Sequence, residues 1–259
     1  MSGSFFNSFV EHLQNTSSIE VDFSANNKGI IAIHEKKVLF HLLPTIENKF
    51  PPKIEFPSYR QIHIHEDLWF NQRAIMVSRI NQVFGLNQKI AARTCVIKPI
   101  EKIDSEDFLK KHHLLGSCNA AYRIGLFYKN ELVALGTFSK SRVMVDGKVY
   151  YRSFEMLRFA VKAGYSVTGG LGKILKYFIQ TKNVVHLMTY IDNEWGVGEA
   201  FLQLGFMAVS TTENQTYWID PTTFTRLKSM SMLSNNMALI EKSNLGSTKL
   251  VLDLRPNDN

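Results

Sequence analysis

Residues 154–178 constrain this chain more than any other stretch: Phe154-Glu155-Met156-Leu157-Arg158-Phe159-Ala160 opens it and a helical pattern closes it. Phe154, Met156 and Ala160 alternate with Glu155, Leu157 and Phe159, and most positions are apolar on both faces, as in a strand inside a sheet. Leu171, Ile174, Leu175 and Phe178 then recur at helical spacing. Between them lies Thr168-Gly169-Gly170-Leu171-Gly172-Lys173. A glycine-rich turn that opens a helix exposes backbone N–H groups and the positive end of the helix dipole, which suits a phosphate or pyrophosphate. The same turn also serves where a strand and a helix only need to pack closely, so both readings stand here. It is not a Walker loop, because the GxxxxGK(S/T) spacing is absent. It is a poor dinucleotide fingerprint too, since the nearest acid at the required distance, Asp192, has a different context.

With 259 residues the chain has room for one large domain or two small ones. At 45% hydrophobic and 20% charged, the composition is that of a soluble globular protein. No apolar run approaches the ~20 residues that cross a bilayer, so no membrane partner is expected. The start, Met1-Ser2-Gly3-Ser4, lacks the basic and apolar regions of a signal peptide. Cys95 and Cys118 make neither a disulfide framework nor a zinc site, and a reducing cytoplasmic setting is the default. The net charge of +7 favours a polyanionic partner such as nucleic acid, although the charge is not gathered into one run.

Residues 4–14 predict an amphipathic helix, 19–23 a strand, and 30–33 with 38–43 a hairpin. Prolines 44, 51, 52 and 57 predict a loop or edge. Residues 61–65 read as a strand, and 66–84 as one helix closed by Gly85. Strands follow at 93–100, 122–128, 131–139, 149–161 and 184–191, with Ser105 capping a helix over 106–113. A helix is expected from Leu171 to Thr181 and a short one at 198–204. Strands at 206–211 and 216–219 are expected to pair, with a further strand at 249–254.

This order of hairpin, long strand, glycine turn, helix, strand, short helix and strand resembles the GNAT N-acetyltransferase fold. Gly170-Leu171-Gly172 resembles the end of that family's (R/Q)xxGx(G/A) loop, and Glu199-Ala200-Phe201-Leu202-Gln203-Leu204-Gly205-Phe206 its FYxxLGF element. The resemblance implies acyl-coenzyme A (acetyl-CoA) as cofactor, held by Thr168, Gly169, Gly170, Leu171, Gly172 and Lys173. The Arg or Gln of the motif is Val167 here. A longer match includes Phe108–Ser117, Gly125–Val133, Thr137–Arg142, Phe154–Phe159 and Tyr190–Trp195. Over these the chain is similar to phage Hef-like homing endonucleases, whose GNAT-like half is similar to Mom-type DNA-modification proteins. In that group the first half resembles a very-short-patch-repair-like nuclease of the PD-(D/E)xK class. The matching segments are Glu20-Val21-Asp22-Phe23, Ile64-His65-Glu66-Asp67-Leu68-Trp69 and Lys89–Cys95. Its second metal-binding segment falls on Ile33–His41, where the required Glu is His34 and only His41 is kept. Glu35 is one residue off, which on a strand turns it to the opposite face. Asp22 alone cannot hold Mg²⁺, so the nuclease half reads as degenerate and no metal is expected.

The expected fold is therefore α/β (α+β): a degenerate endonuclease-like unit over 1–92, a GNAT-like mixed-sheet domain over 93–221, and an extension over 222–259. The catalytic candidates are Glu155, Tyr190, His113 and Asp192. Glu155 either accepts an amine proton through water or pairs with Arg158 or Arg123. Tyr190 suits protonation of a leaving thiolate, and Asp192 equally suits a helix cap. His113, with His112, is either a base or a helix C-cap. Ser139, Lys140, Arg142 and Arg158 are candidates for DNA phosphates and Trp195 for stacking on a base; a solvated charge cluster is the other reading of the first three. His63 and His65 share a strand face but show no third metal ligand. The function expected is acyl transfer on or near DNA, with a non-catalytic DNA-binding accessory protein as the alternative.

Overall fold

The computed structural model describes residues 3–16, 29–46, 58–227 and 239–256. The strand expected at 19–23, with Asp22, lies outside them, as do Pro51, Pro52 and Pro57. The chain divides into two compact units, neither of them one stretch of sequence. Unit 1 holds residues up to Met76, Asp192–Val197 and Thr212–Ser247; unit 2 holds Val77–Ile191, Gly198–Thr211 and residues from Thr248 on. The class is mixed α/β, as the sequence predicts.

In unit 1, helix α1 (Gly3–Thr16) buries Phe5, Phe9 and Leu13, which recur every four residues. Strands β1 (Ile30–Ile33) and β2 (Val38–Leu43) form the expected hairpin, and β3 (Arg60–His65) joins β2 in parallel. All residues of β1 and β2 are buried. The Glu35 turn leaves that side chain exposed rather than on a strand. The expected helix over 66–84 is two: α2 (Glu66–Asn71) and α3 (Arg73–Phe84). Gln72, at φ −127°, breaks the run, and its carbonyl accepts from Ile75 and Met76 to start the second helix. Arg73–Met76 counts with unit 1 and Val77 onward with unit 2. Gly85, at φ +72°, ends α3 as predicted.

Unit 2 opens with β4 (Gln88–Ala91), a 3₁₀ turn (Ala92–Thr94) and β5 (Val96–Pro99). Helix α4 (Lys102–His112) begins earlier than expected. Ser105 is not its cap: the Ser105 N–H already donates to Glu101, one turn back, and its side chain is buried. The hairpin β6 (Tyr122–Tyr128) and β7 (Glu131–Phe138) turns at Lys129 and Asn130, both at positive φ, as a tight primed turn requires. Strand β8 (Arg142–Asp146), which the sequence reading missed, forms a second hairpin with the long strand β9 (Val149–Val161). Then come β10 (Tyr165–Thr168), α5 (Gly170–Lys182), β11 (His186–Asp192) and α6 (Glu199–Leu202).

Two strands expected to pair do not. Strand β12 (Met207–Thr211) pairs with β16 (Ser247–Asp253) at the edge of the large sheet. Strand β13 (Thr216–Ile219) joins β14 (Arg226–Leu227) and β15 (Ile240–Ser243) in a separate sheet of unit 1. The large sheet runs β12-β16-β11-β9-β7-β6-β5, so the C-terminal strand β16 is an interior member of it. Helix α5 covers one face. Phe178 stacks on Phe138 with centroids 3.7 Å apart and meets Phe154 edge-on at 5.3 Å. Leu171, Ile174 and Leu175 fill the same core.

Candidate functional site

The site grows from the hub strand β9. Against β7 it pairs regularly up to Arg158, then slips: Thr137 faces Arg158 but Phe138 faces Met156, so Leu157 is the extra residue of a β-bulge. On its other edge β9 runs parallel to β11 for three pairs only, Leu187↔Phe154, Met188↔Glu155 and Thr189↔Met156. The Thr189 hydroxyl donates to the Met156 carbonyl at 3.0 Å and closes the paired part. Beyond it, among the described residues, Leu157–Val161 on β9 has no strand partner on the β11 side. Two adjacent parallel strands therefore fork at the bulge.

Downstream of the open arm of β9 sits the glycine turn. Strand β10 pairs in parallel with β4, Val167 with Ile90 and Thr168 with Ala91, and this pairing braces the turn. The sequence reading missed β10 because it is four residues long and its partner is remote in sequence. Gly169 adopts φ +77°, ψ 4°, a left-handed conformation that glycine takes at no steric cost. Among the described residues, the N–H groups of Gly170, Leu171 and Gly172 have no hydrogen-bond partner, as the first turn of a helix leaves them. The Lys173 N–H is the first to close the helix, onto Gly169 at 3.0 Å. The side chain of Lys173 is not aimed at a ligand: its Nζ donates to the carbonyls of Ala92 at 2.9 Å and Cys95 at 2.5 Å. It pins the 3₁₀ turn to the start of α5. Thr168 and Gly169 are exposed, Gly170 and Leu171 buried. The buried Val167 side chain stands where a β-carbon on Gly170 would meet it at 3.0 Å.

The register puts two of the predicted side chains together. Glu155 faces Met188 across the paired strands, and Tyr190 follows Met188 by two residues, so Glu155 and Tyr190 lie on one face of the sheet, beside the fork. Phe154 and Met156 face the other way, into the α5 core. Glu155 is half-buried and Tyr190 exposed. The Glu155 backbone is held by Ser139, whose N–H donates to the Glu155 carbonyl at 2.9 Å and whose Oγ accepts the Glu155 N–H at 3.0 Å. Ser139 is thus a brace for β9.

The remaining candidates are placed differently. His113 is the C-cap residue of α4, its Nδ1 accepting the Leu115 N–H at 3.1 Å. Burial, with Arg158 and Arg79 nearby, lowers its pKa to about 3, too weak a base for proton transfer near neutrality. His112 accepts the Ala163 N–H at 3.2 Å and ties down the end of β9. Arg158, half-buried, donates from Nη1 to the Leu157 carbonyl at 2.7 Å, across the bulge. Lys140 and Arg142 are exposed at the root of the β8–β9 hairpin. Asp192 and Trp195 belong to unit 1. Asp192 accepts the Glu194 N–H at 3.0 Å in a local turn, and Trp195 is buried, which removes it as a stacking platform.

Unit 1 carries a buried polar cluster of its own. His65 is hydrogen-bonded to Glu194 at 2.7 Å and to the Tyr217 hydroxyl at 3.1 Å. Arg226 grips Asp67 with both Nε and Nη2, the latter at 3.0 Å, and lies over the Tyr217 ring. His41 and His63 pack edge-to-face at 5.4 Å, and both ring nitrogens of His63 are buried without a partner among the described residues. Among the described residues, no group of three or more His, Cys, Asp or Glu is arranged to hold a metal ion. No helix among them is long and apolar enough to cross a membrane.

The chain matches no protein-family model and no curated protein sequence. Among solved structures it is similar to the ribosomal-protein-S18-alanine N-acetyltransferase of Escherichia coli, at 13% identity and a TM-score of 0.42, over 64% of this chain and 97% of that one. A Bacillus subtilis acetyltransferase in complex with CoA aligns at 14% identity and a TM-score of 0.40, over 62% of this chain and 99% of that one. A GNAT family acetyltransferase from Elizabethkingia anophelis with acetyl-CoA bound aligns at 13% identity and a TM-score of 0.35, over 62% and 99%.

Proposed function

We propose that unit 2 is a GNAT-type acyltransferase that takes an acyl thioester of coenzyme A as donor and an amine as acceptor. The observation that carries this reading is the fork between β9 and β11 together with, further along the chain, a helix start with three unpartnered amides. An open parallel edge offers backbone groups to an extended, amide-bearing ligand arm, in the way a sheet edge takes an added strand. The Gly170, Leu171 and Gly172 N–H groups, at the positive end of α5, suit a pyrophosphate. With Val167 in place of the motif's Arg or Gln, these backbone donors carry that contact without a guanidinium or amide side chain.

Coenzyme A, when bound, supplies the acyl group as a thioester. Glu155 takes the proton the amine loses, directly or through one water. Tyr190, whose register puts it on the same face, gives a proton to the departing sulfur. His113 has no part in this scheme. A second reading, a DNA-binding accessory protein derived from a homing endonuclease, draws on the basic β8–β9 hairpin alone and needs no donor.

Acetyl-CoA at about 100 times its Kd is expected to stabilise the protein by ~2.7 kcal/mol in a thermal-shift measurement. Gly170→Glu is expected to abolish the shift, by crowding Val167 and by placing a carboxylate at the anion site. Glu155→Gln is expected to keep the shift and lose turnover on amine acceptors. No shift with the native protein, or an undiminished one in Gly170→Glu, would sink the proposal.

A further inference from the structure

We infer that the β8–β9 hairpin is a docking surface for duplex DNA. The inference stands on this hairpin and is independent of donor binding at the fork.

The hairpin projects as a two-stranded ribbon. Among the described residues strand β8 pairs with β9 alone, from Arg142↔Ser153 to Asp146↔Val149. The pairing of β9 with β11 begins only at Phe154, and with β7 only at Met156. Residues 142–153 therefore stand outside the large sheet. Gly147, at φ +60°, takes the first position of the two-residue turn at the tip, where a primed turn requires positive φ.

The two faces of the ribbon differ. In antiparallel register, directly opposed residues share a face. Arg142, Met144 and Asp146, opposite Ser153, Tyr151 and Val149, form the inner one, where Tyr151 packs on His186 at 5.0 Å and under the Arg255 guanidinium at 4.2 Å. Val143, Val145, Tyr150 and Arg152 form the outer one. Val143 is 61% exposed, Val145 58% and Tyr150 74%. So large an apolar exposure on a ribbon that already has one packed face marks an interaction surface.

Charge selects the partner. Lys140, Arg142, Lys148 and Arg152 are all exposed on or beside the ribbon. Its one acid, Asp146, is paired with Arg255 at 3.2 Å. A protein partner would have to bury this excess of cations, whereas a phosphate backbone neutralises it and releases counterions. The B-DNA major groove, about 12 Å wide, admits a two-stranded β-ribbon, and the thymine methyl groups on its floor take apolar contacts from side chains such as Val143, Val145 and Tyr150. The major groove of duplex RNA is too deep and narrow for this.

The test is fluorescence anisotropy of the full chain with a labelled DNA duplex of about 20 base pairs, from about 50 to 200 mM salt. Lys148→Glu at the tip with Arg152→Glu on the outer face is expected to weaken binding at least ~10-fold and to flatten the log K against log salt slope by about 2. Lys110→Glu with Lys176→Glu, the same charge change on α4 and α5, is expected to leave the slope within about half a unit. Tyr150→Ala is expected to weaken binding with the slope kept, circular dichroism confirming that each variant is folded. Equal losses in the two double variants would show a response to net charge and overturn the inference. So would absence of salt-dependent binding by the native chain, equal affinity for duplex RNA, or a dimer that Tyr150→Ala dissolves while DNA binding is unchanged.

Discussion

Phe178→Ala is expected to destabilise unit 2 by about 3–5 kcal/mol, the range for removing a fully buried aromatic side chain. Phe178 is 0% exposed and touches aromatic rings of three strands: Phe138 on β7, Phe154 on β9 and Tyr122 on β6. The loss combines the transfer of a large apolar surface with a cavity that the flat stack on Phe138 cannot close by small shifts. It also bears on the proposed site, because the same contacts hold α5, and with it the glycine turn, against the forked strands. Urea unfolding followed by far-UV circular dichroism reads the loss. Phe178→Leu, which keeps most of the volume, is expected to recover more than half of it. A change below about 1 kcal/mol in Phe178→Ala would show that α5 is not anchored there.

The second large effect is a loss of stability in unit 1 on acidification. Burial, helped by the neighbouring His63 and His65, lowers the His41 pKa to about 4. Burial also lowers His63 to about 4, with Glu194 opposing and His65 adding. An unfolded chain binds protons at these rings as pH falls through ~6.5, and the folded chain binds them only near pH 4. Between those values the unfolded state holds more protons, so stability falls as pH falls, and the fall is complete below about pH 4. Each shift corresponds to about 3 kcal/mol, and the two do not simply add, because each ring's charge is part of what lowers the other.

Trp69, Trp195 and Trp218, all the tryptophans of the chain, belong to unit 1, so their fluorescence in a denaturant titration reports it. His63→Leu is expected to keep stability at pH 7.5, since it replaces two unpartnered buried nitrogens, and to make the acid loss shallower. Glu194 bears on the lower end of the range. Burial raises it, but His65, Arg226 and His63 together hold it below the usual carboxylate range, so its contribution is lost only at lower pH. Measurements kept above pH 4.5 therefore isolate the histidines. A native profile that is flat from pH 6.5 to 4.5, or an equally steep one in His63→Leu, would refute this account.

Local chemistry made much of the fold legible. The turn Lys129-Asn130 and the flanking apolar runs specify the β6–β7 hairpin within seventeen consecutive positions, because a tight turn needs only residues that tolerate positive φ. The apolar stripe of Leu171, Ile174, Leu175 and Phe178 and the glycines before it specify α5 and its open N-terminus. His63 and His65 were correctly placed on one strand face, because side chains alternate with period two.

Pairing between distant segments was not legible in the same way. Strands at 206–211 and 216–219 look like a hairpin in sequence, yet Thr212 is tied through its N–H and its Oγ1 to Ser247. That tie sends β12 to β16 and leaves β13 to unit 1. Glu194, the partner of His65, and Arg226, the partner of Asp67, carry no local mark of those roles. A buried charge takes whichever opposite group the fold brings near it.

The opening stretch shows the division most clearly. Sequence alone determined that a strand opens residues 154–178, that a glycine turn follows and that a helix closes them, because periodicity and glycine's freedom at positive φ are properties of adjacent residues; β10, whose partner is remote, it did not show. Only the tertiary structure decided that β9 bulges at Leu157 and parts from β11 after three pairs, that Lys173 is occupied by the carbonyls of Ala92 and Cys95, and that Glu155 and Tyr190 share a face. Each of these depends on strand register, and register is set by partners that are remote along the chain.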